Sequence, residues 1–261
     1  MQQIRIMVEE RSAVMKRLLA LACLCSLVVV AFAAPGVGAA KPVLKVGTSA
    51  DFPPFEFQDE KTGAYLGFDL DLIRAIGDAI GMDVQIVNTA WDGLIPGLIT
   101  GNYDCIVSAM TITDERLKAV NFSDPYFSAG QVVVTMAKDT KISSIADLEG
   151  KKISVQIGTT GDLVASEIKG ATVKRFNLAP DAVQEVRNGA AHACIIDLAV
   201  AAEIAKEYKD IKYGAPFTME YYGIAIKKNN TALLKNINRG LAMIKASGKY
   251  DEIYNKWFAG N

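Results

Sequence analysis

From Val43 onward the apolar positions change period along the chain in a regular alternation. VLKVGTSA, residues 43–50, is a nearly continuous apolar run ending in turn residues, and YLGFDLDLIRAIGDAIG places Phe68, Leu72, Ala75, Ile76 and Ala79 on one helical face. DVQIVNTA is again strand-like, WDGLIPGLITG makes a short helix with Pro96 near its start, and YDCIVSAM makes the next strand. QVVVTMAK leads out of this unit. KKISVQIGTTGDLVASEIKG and TVKRFNLAPDAVQEVRNGAAHACIIDLAVAAEIAKEY repeat the alternation, EYYGIAIKKNN is a further apolar run, and helical TALLKNINRGLAMIKASG and YDEIYNKWFAG end the sequence. Strand and helix in turn predict parallel α/β sheets. Two such units joined by extended segments predict a cleft between them, where small molecules bind beyond the carboxyl ends of strands. The polar residues that follow the predicted strands are Ser49 and Asp51, Ser108 to Thr111, Gly158 to Gly161, and Asp197.

The first 40 residues do not fit this pattern. MKRLLALACLCSLVVVAFAAPGVGAA, from Met15 to Ala40, has a basic start, an apolar run and then small residues, the layout of a secretory signal peptide. Ala31-Phe32-Ala33 and Val37-Gly38-Ala39 are alternative cleavage sites. The run from Leu18 to Ala34 has 17 residues, short of the roughly 20 of a comfortable membrane span. Met15 is a candidate true start, and Cys23 or Cys25 a candidate acylation site. Export predicts a periplasmic or otherwise extracytoplasmic protein. Residues 1–40 carry four of the 28 basic and two of the 29 acidic side chains, so the remainder is near −3 in net charge, which gives no footprint for nucleic acid. Cys105 and Cys194 lie in apolar runs of different units and are expected as buried free thiols. The single histidine, His192, has no second imidazole for a zinc site or a histidine-based triad, and reads as an exposed turn residue. No cofactor or metal is expected.

The order and spacing of GFDLDL, DGLIPGL, TITDER, NFSDPYF, QIGTTGD, YYGIAI and YDEIYNKWF resemble the extracytoplasmic solute-binding proteins of ABC polar amino-acid importers, over nearly all of residues 43–258. The resemblance implies an α/β, two-lobe periplasmic binding protein fold of type II with two crossing hinge strands. One lobe would comprise 43–130 and 223–261, the other 131–222. It also implies a monomer that takes a small-molecule amino acid, closes on it and presents it to an inner-membrane ABC permease.

Each candidate site residue has a bland reading beside this one. Arg116 offers five donors in a planar fork suited to a carboxylate, yet it also neighbours Asp114, Glu115 and Asp124, surface pairs worth about 0–1 kcal/mol. By resemblance it grips the ligand α-carboxylate. Asp197 could cap a helix, worth roughly 1 kcal/mol; by resemblance it meets the α-ammonium. Thr111 could serve both groups, and Thr160 lies in a glycine-flanked turn able to form an anion-receptive nest, although most such turns are only turns. Ser108 and Ala109 would offer backbone oxygens to the ammonium. Phe52 and Trp91 match side-chain pocket positions and could sandwich an aliphatic stem or a guanidinium, whereas Phe55, Phe57 and Phe68 read as core. Gln156 and Glu220 would border the same region.

Ser49 stands where basic-ligand members often carry aspartate, and Ile196 where glutamine binders can carry histidine. Asp51 is a candidate for the missing charge, although its place two residues along could point it elsewhere. The pattern favours a basic amino acid, arginine or lysine, with glutamine the competitor. A dehydratase-type enzyme on the same fold would need a general acid in the pocket, and Glu220 is the spare acid.

Overall fold

The structure, a computed structural model, describes residues 40–259. The signal-peptide reading of residues 1–40 lies, Ala40 apart, outside them. The described chain begins with β1 (Val43–Thr48), β2 (Asp51–Phe52), β3 (Glu56–Gln58), β4 (Tyr65–Leu66), α1 (Phe68–Ile80), β5 (Asp83–Asn88), α2 (Leu94–Thr100) and β6 (Cys105–Ile106). After α3 (Asp114–Ala119), β7 (Val120–Phe122) and β8 (Phe127–Ala129) come β9 (Gln131–Met136), β10 (Lys152–Gln156), α4 (Thr160–Glu167), β11 (Thr172–Phe176), α5 (Ala179–Arg187), β12 (Ala193–Asp197), α6 (Leu198–Glu207) and β13 (Ile211–Tyr213). The chain then runs through β14 (Glu220–Tyr222), β15 (Ala225–Lys227), α7 (Thr231–Ala246) and α8 (Lys249–Phe258).

Two five-stranded sheets organise these elements, in the orders β5-β1-β6-β15-β7 and β11-β10-β12-β9-β13. They share one plan. The second strand in each order, β1 or β10, pairs in parallel on both sides, and a strand from the crossing region, β15 or β9, adds in antiparallel sense. The sheets form the cores of two lobes in a mixed α/β, type II arrangement, and β8 pairs antiparallel with β14 at the crossing between them. The apolar run at 220–230 is therefore two strands: Glu220–Tyr222 belongs to the crossing pair, and Ala225–Lys227 to the first sheet. Cys105 and Cys194 sit in different sheets, buried and unpaired.

Helix α1 shows how local chemistry places a site residue. Its face of Phe68, Leu72, Ile73 and Ile76 is buried, and Gly81 closes it in left-handed conformation. At the other end Gly67 has φ 133°, a region open mainly to glycine, and a Cβ there would lie 2.0 Å from the carbonyl oxygen of Phe55. This close approach lets the Phe68 and Asp69 amides donate to the carbonyls of Pro54 and Phe55. It also brings Asp69 beside Glu56, deep behind the cleft.

Gly67→Ala combines a disallowed φ with a backbone clash, so unfolding in urea should show a loss of about 2 kcal/mol or more. An unchanged midpoint would mean that the turn relaxes without cost.

Candidate functional site

The carboxyl ends of β1, β10 and β12 face one another across a narrow cleft. The first lobe lines it with Ser49, Asp51, Phe52, Glu56, Trp91, Ala109, Thr111 and Arg116, the second with Gln156, Thr159, Thr160 and Asp197.

Arg116 enters from α3, whose N-cap Thr113 accepts the Arg116 backbone amide. Its guanidinium makes no ion pair with Asp114, Glu115 or Asp124 among the described residues. It donates to the carbonyl of Thr111 at 2.7 Å and, across the cleft, to that of Gly158 at 3.2 Å. The guanidinium carbon stands 5.1 Å from the centre of the Trp91 ring. Removal from water lowers the pKa of this guanidinium, opposed by the nearby Glu220 and Asp197 carboxylates. The bonded neutral carbonyls leave donors of the fork for a carboxylate. The surface-pair reading therefore fails on geometry.

Asp197 ends β12 at the N-cap position of α6, yet its side chain makes no capping bond. It is turned inward, 7% exposed, and accepts the hydroxyl of Tyr222 from the crossing strand. Desolvation, the largest cause, pushes its pKa up to about 6; the Tyr222 hydrogen bond and, more weakly, Arg116 hold it down. Glu220, also on the crossing strand, accepts three hydroxyls, from Thr111 at 2.7 Å, Thr160 at 2.9 Å and Thr218 at 3.0 Å. Thr160 opens α4 and also accepts the Gln131 side-chain amide at 3.1 Å. A carboxylate thus gathers hydroxyls from both lobes at the hinge.

Asp51 bridges the lobes directly. It accepts the Ser49 hydroxyl at 2.8 Å, the Gln156 amide at 3.0 Å and, at the start of α5, the backbone amide of Ala179 at 2.8 Å. Burial nevertheless raises its pKa, against the pull of these donors. Deeper in the first lobe Ser108 donates to Glu56 at 3.0 Å and accepts the Ser49 amide at 3.0 Å. Ala109 is the non-glycine residue with positive φ among those described, at 44°, held there by Asp69, which accepts its amide at 2.7 Å.

Ten of the twelve sequence-derived candidates line the cleft. Ser108 is buried behind its wall, and Glu220 lies behind Thr111 and Thr160. Trp91 stands at the cleft, but its ring faces Arg116. Phe55 and Phe68 are fully buried, while Phe57 is only half-buried, its ring edge against Trp257. His192 is exposed and accepts the Lys152 amide. Sequence reasoning missed Glu56 and Thr159. Glu56 carried a signal, an acid between Phe55 and Phe57 in a short strand whose alternation turns it to the face opposite Phe57.

Two α/β lobes hinged by crossing strands, with a charged cleft between the strand ends, define a solute-binding protein. The chain belongs to the bacterial extracellular solute-binding proteins, family 3, whose family model matches residues 44–260. It is 38% identical over 260 residues to a probable histidine-binding protein of Neisseria gonorrhoeae, covering 94% of this chain and 96% of that protein. A crystal structure of a mutant of ArgBP from T. maritima superposes with TM-score 0.80 at 46% identity, covering 83% of this chain and 95% of that one. Structures described as an ancestral arginine-binding protein bound to arginine and bound to glutamine give TM-scores of 0.80 and 0.78, each at 44% identity. Both cover 84% of this chain, and 99% and 98% of their own.

The Asp197 carboxyl binds its proton more tightly in the folded than in the unfolded chain, where its pKa is about 3.9. Its contribution to stability is full below the unfolded value and is lost as pH rises through about 6. Asp197→Asn should therefore stabilise the ligand-free protein at pH 7.5 by about 1–3 kcal/mol, a difference that closes toward pH 4. Denaturant titrations at both pH values check it, and a destabilised variant at pH 7.5 would contradict the burial argument.

Proposed function

We propose that this protein binds a basic L-amino acid, arginine or lysine, outside the cytoplasmic membrane, closes on it, and delivers it to an ABC permease. The observation that carries the reading is the charge balance of the cleft wall, where Asp51, Glu56 and Asp197 stand against one cation, Arg116. A zwitterionic main chain takes Arg116 for its carboxylate and Asp197 for its ammonium, with Thr111 and Thr160 at its flank. That leaves Asp51 and Glu56 on the wall without a cation, and a positively charged side chain offsets their desolvation. Ser49, Phe52, Ala109 and Gln156 shape the side-chain pocket. Domain closure follows because residues of both lobes hold the ligand only when closed. Relatives of this family named for arginine support the same class.

Glutamine is the second reading. Gln156 donates its amide to Asp51 and to the carbonyl of Asn177, which leaves its own carbonyl oxygen to accept from a ligand amide. Transport rather than catalysis is supported by Glu220, the spare acid of a dehydratase reading, whose two oxygens are occupied by three hydroxyls.

Arg116→Ala should weaken amino-acid binding by about 2–5 kcal/mol, the usual cost of removing one member of a buried charged pair, with Arg116→Lys recovering part. Unchanged affinity in the folded alanine variant would remove Arg116 from the site. In calorimetric competition arginine or lysine should outbind glutamine. Glutamine binding tenfold tighter than both, about 1.4 kcal/mol, would overturn the cationic assignment and leave amino-acid binding standing. Product analysis of the same samples should recover the amino acid unchanged.

A further inference from the structure

Asp51 divides its two carboxylate oxygens between the lobes. Oδ1 accepts the Ser49 hydroxyl at 2.8 Å, a bond within the first lobe. Oδ2 accepts from the second lobe, taking the Gln156 side-chain amide at 3.0 Å and the Ala179 backbone amide at 2.8 Å. Each side of this bridge is built within its own lobe. On the first, Asp51 pairs with Phe57 where β2 meets β3, and the Ala50 amide just before it donates to the Asn88 side chain at 2.9 Å. On the second, the Asn177 carbonyl accepts the same Gln156 amide group at 3.0 Å, and Ala179 opens α5.

Helix α5 lacks what Asp51 supplies. Its N-cap position is Leu178, whose side chain makes no capping bond, and Pro180 in the first turn has no N–H. The Ala179 amide is left without an acceptor inside the helix, and a carboxylate at this end also meets the positive pole of the helix dipole. The acceptor comes from 128 residues away, in the other lobe. Asp51 lines the ligand cleft and also a second groove, walled by Pro54 and Phe57 of the first lobe and by Pro180 and Gln184 of the second, so the bridge stands between cleft and groove. Burial raises the pKa of Asp51 against the pull of its donors, so desolvation opposes the bridge and keeps it from locking the lobes by itself.

We propose that Asp51 is a positioning residue that sets affinity through the lobes and not by contact with the ligand side chain: its Oδ2 latches the first lobe to Gln156 and to the start of α5, and so holds the cleft shut over whichever amino acid occupies it. This rests on the amino-acid-binding reading but not on a basic side chain in the ligand. The carboxylate still counts in the charge balance of the cleft, while its oxygens are turned to protein donors. The apparent affinity of a ligand that needs the lobes together scales with the population of that arrangement. Removing the latch therefore weakens unlike amino acids by the same factor, and a partner of the ligand's own charge would not.

The test is calorimetry and stopped-flow kinetics with L-arginine and L-glutamine. Strand β2 lies outside the two five-stranded sheets, so substitution at Asp51 leaves both cores intact. Asp51→Ala should weaken both amino acids by about tenfold or more, to within about threefold of each other, and chiefly through faster dissociation. In Asp51→Asn the amide oxygen can take the place of Oδ2 while the amide nitrogen donates to Ser49, so part of the loss should return for both. A loss confined to arginine, or an asparagine variant no better than the alanine one, makes Asp51 a charge partner of the ligand and overturns the latch, as does unchanged affinity in the folded alanine variant. If the unaltered protein binds only one of the two, the comparison of alanine and asparagine variants on that one decides. Failure to bind any amino acid defeats the proposed function instead. The latch is then decided by small-angle X-ray scattering without ligand, where Asp51→Ala should have a larger radius of gyration than the unaltered protein, and equal radii overturn it.

Discussion

Desolvation of unlike charges in one narrow cleft is the constraint on which the rest of the structure depends. Arg116 is drawn out of water onto Trp91 with only carbonyls to bond, while Asp197 and Asp51 are buried beyond what their hydrogen bonds repay. Each group is held short of its best partner. A site prepared in this way stores an unfavourable free energy that a ligand of complementary charge relieves, and so the ligand's charges, more than its size, govern affinity.

The same groups connect the lobes. Arg116 reaches Gly158, Asp51 reaches Ala179 and Gln156, and Glu220 gathers hydroxyls from Thr111 and Thr160. Hydrogen bonds to ionised groups are the stronger ones, of about 1.5–3 kcal/mol each. They hold the two lobes against each other through a few directional contacts. The crossing strand β14 is tied into this network at both ends, through Glu220 and through Tyr222 on Asp197. The hinge and the site therefore share side chains. Arg116 and Thr160, which line the cleft, bond directly to groups of the opposite lobe or of the crossing strand, with no relay between distant elements.

Alternating period, glycine stops and polar residues after apolar runs determined much of this protein by sequence alone. They placed α1, β5 and the strand ends, and with the strand ends Asp197, Thr111 and Thr160, because strand ends in parallel sheets converge wherever the crossovers put helices on the faces; Arg116, on a helix, was marked out by the resemblance of its motif. Local pattern could not assign partners. That Trp91 faces Arg116, that Asp51 caps the approach of α5, and that Glu220 meets Thr111 and Thr160 each depend on segments 25 to 128 residues apart meeting at side-chain distance. Glu56 is the sharpest case. Strand alternation turns it inward, but only the tertiary structure, through the Gly67 turn that delivers Asp69, set a second carboxyl against it, because what a buried charge faces is decided by packing and not by its neighbours in the chain.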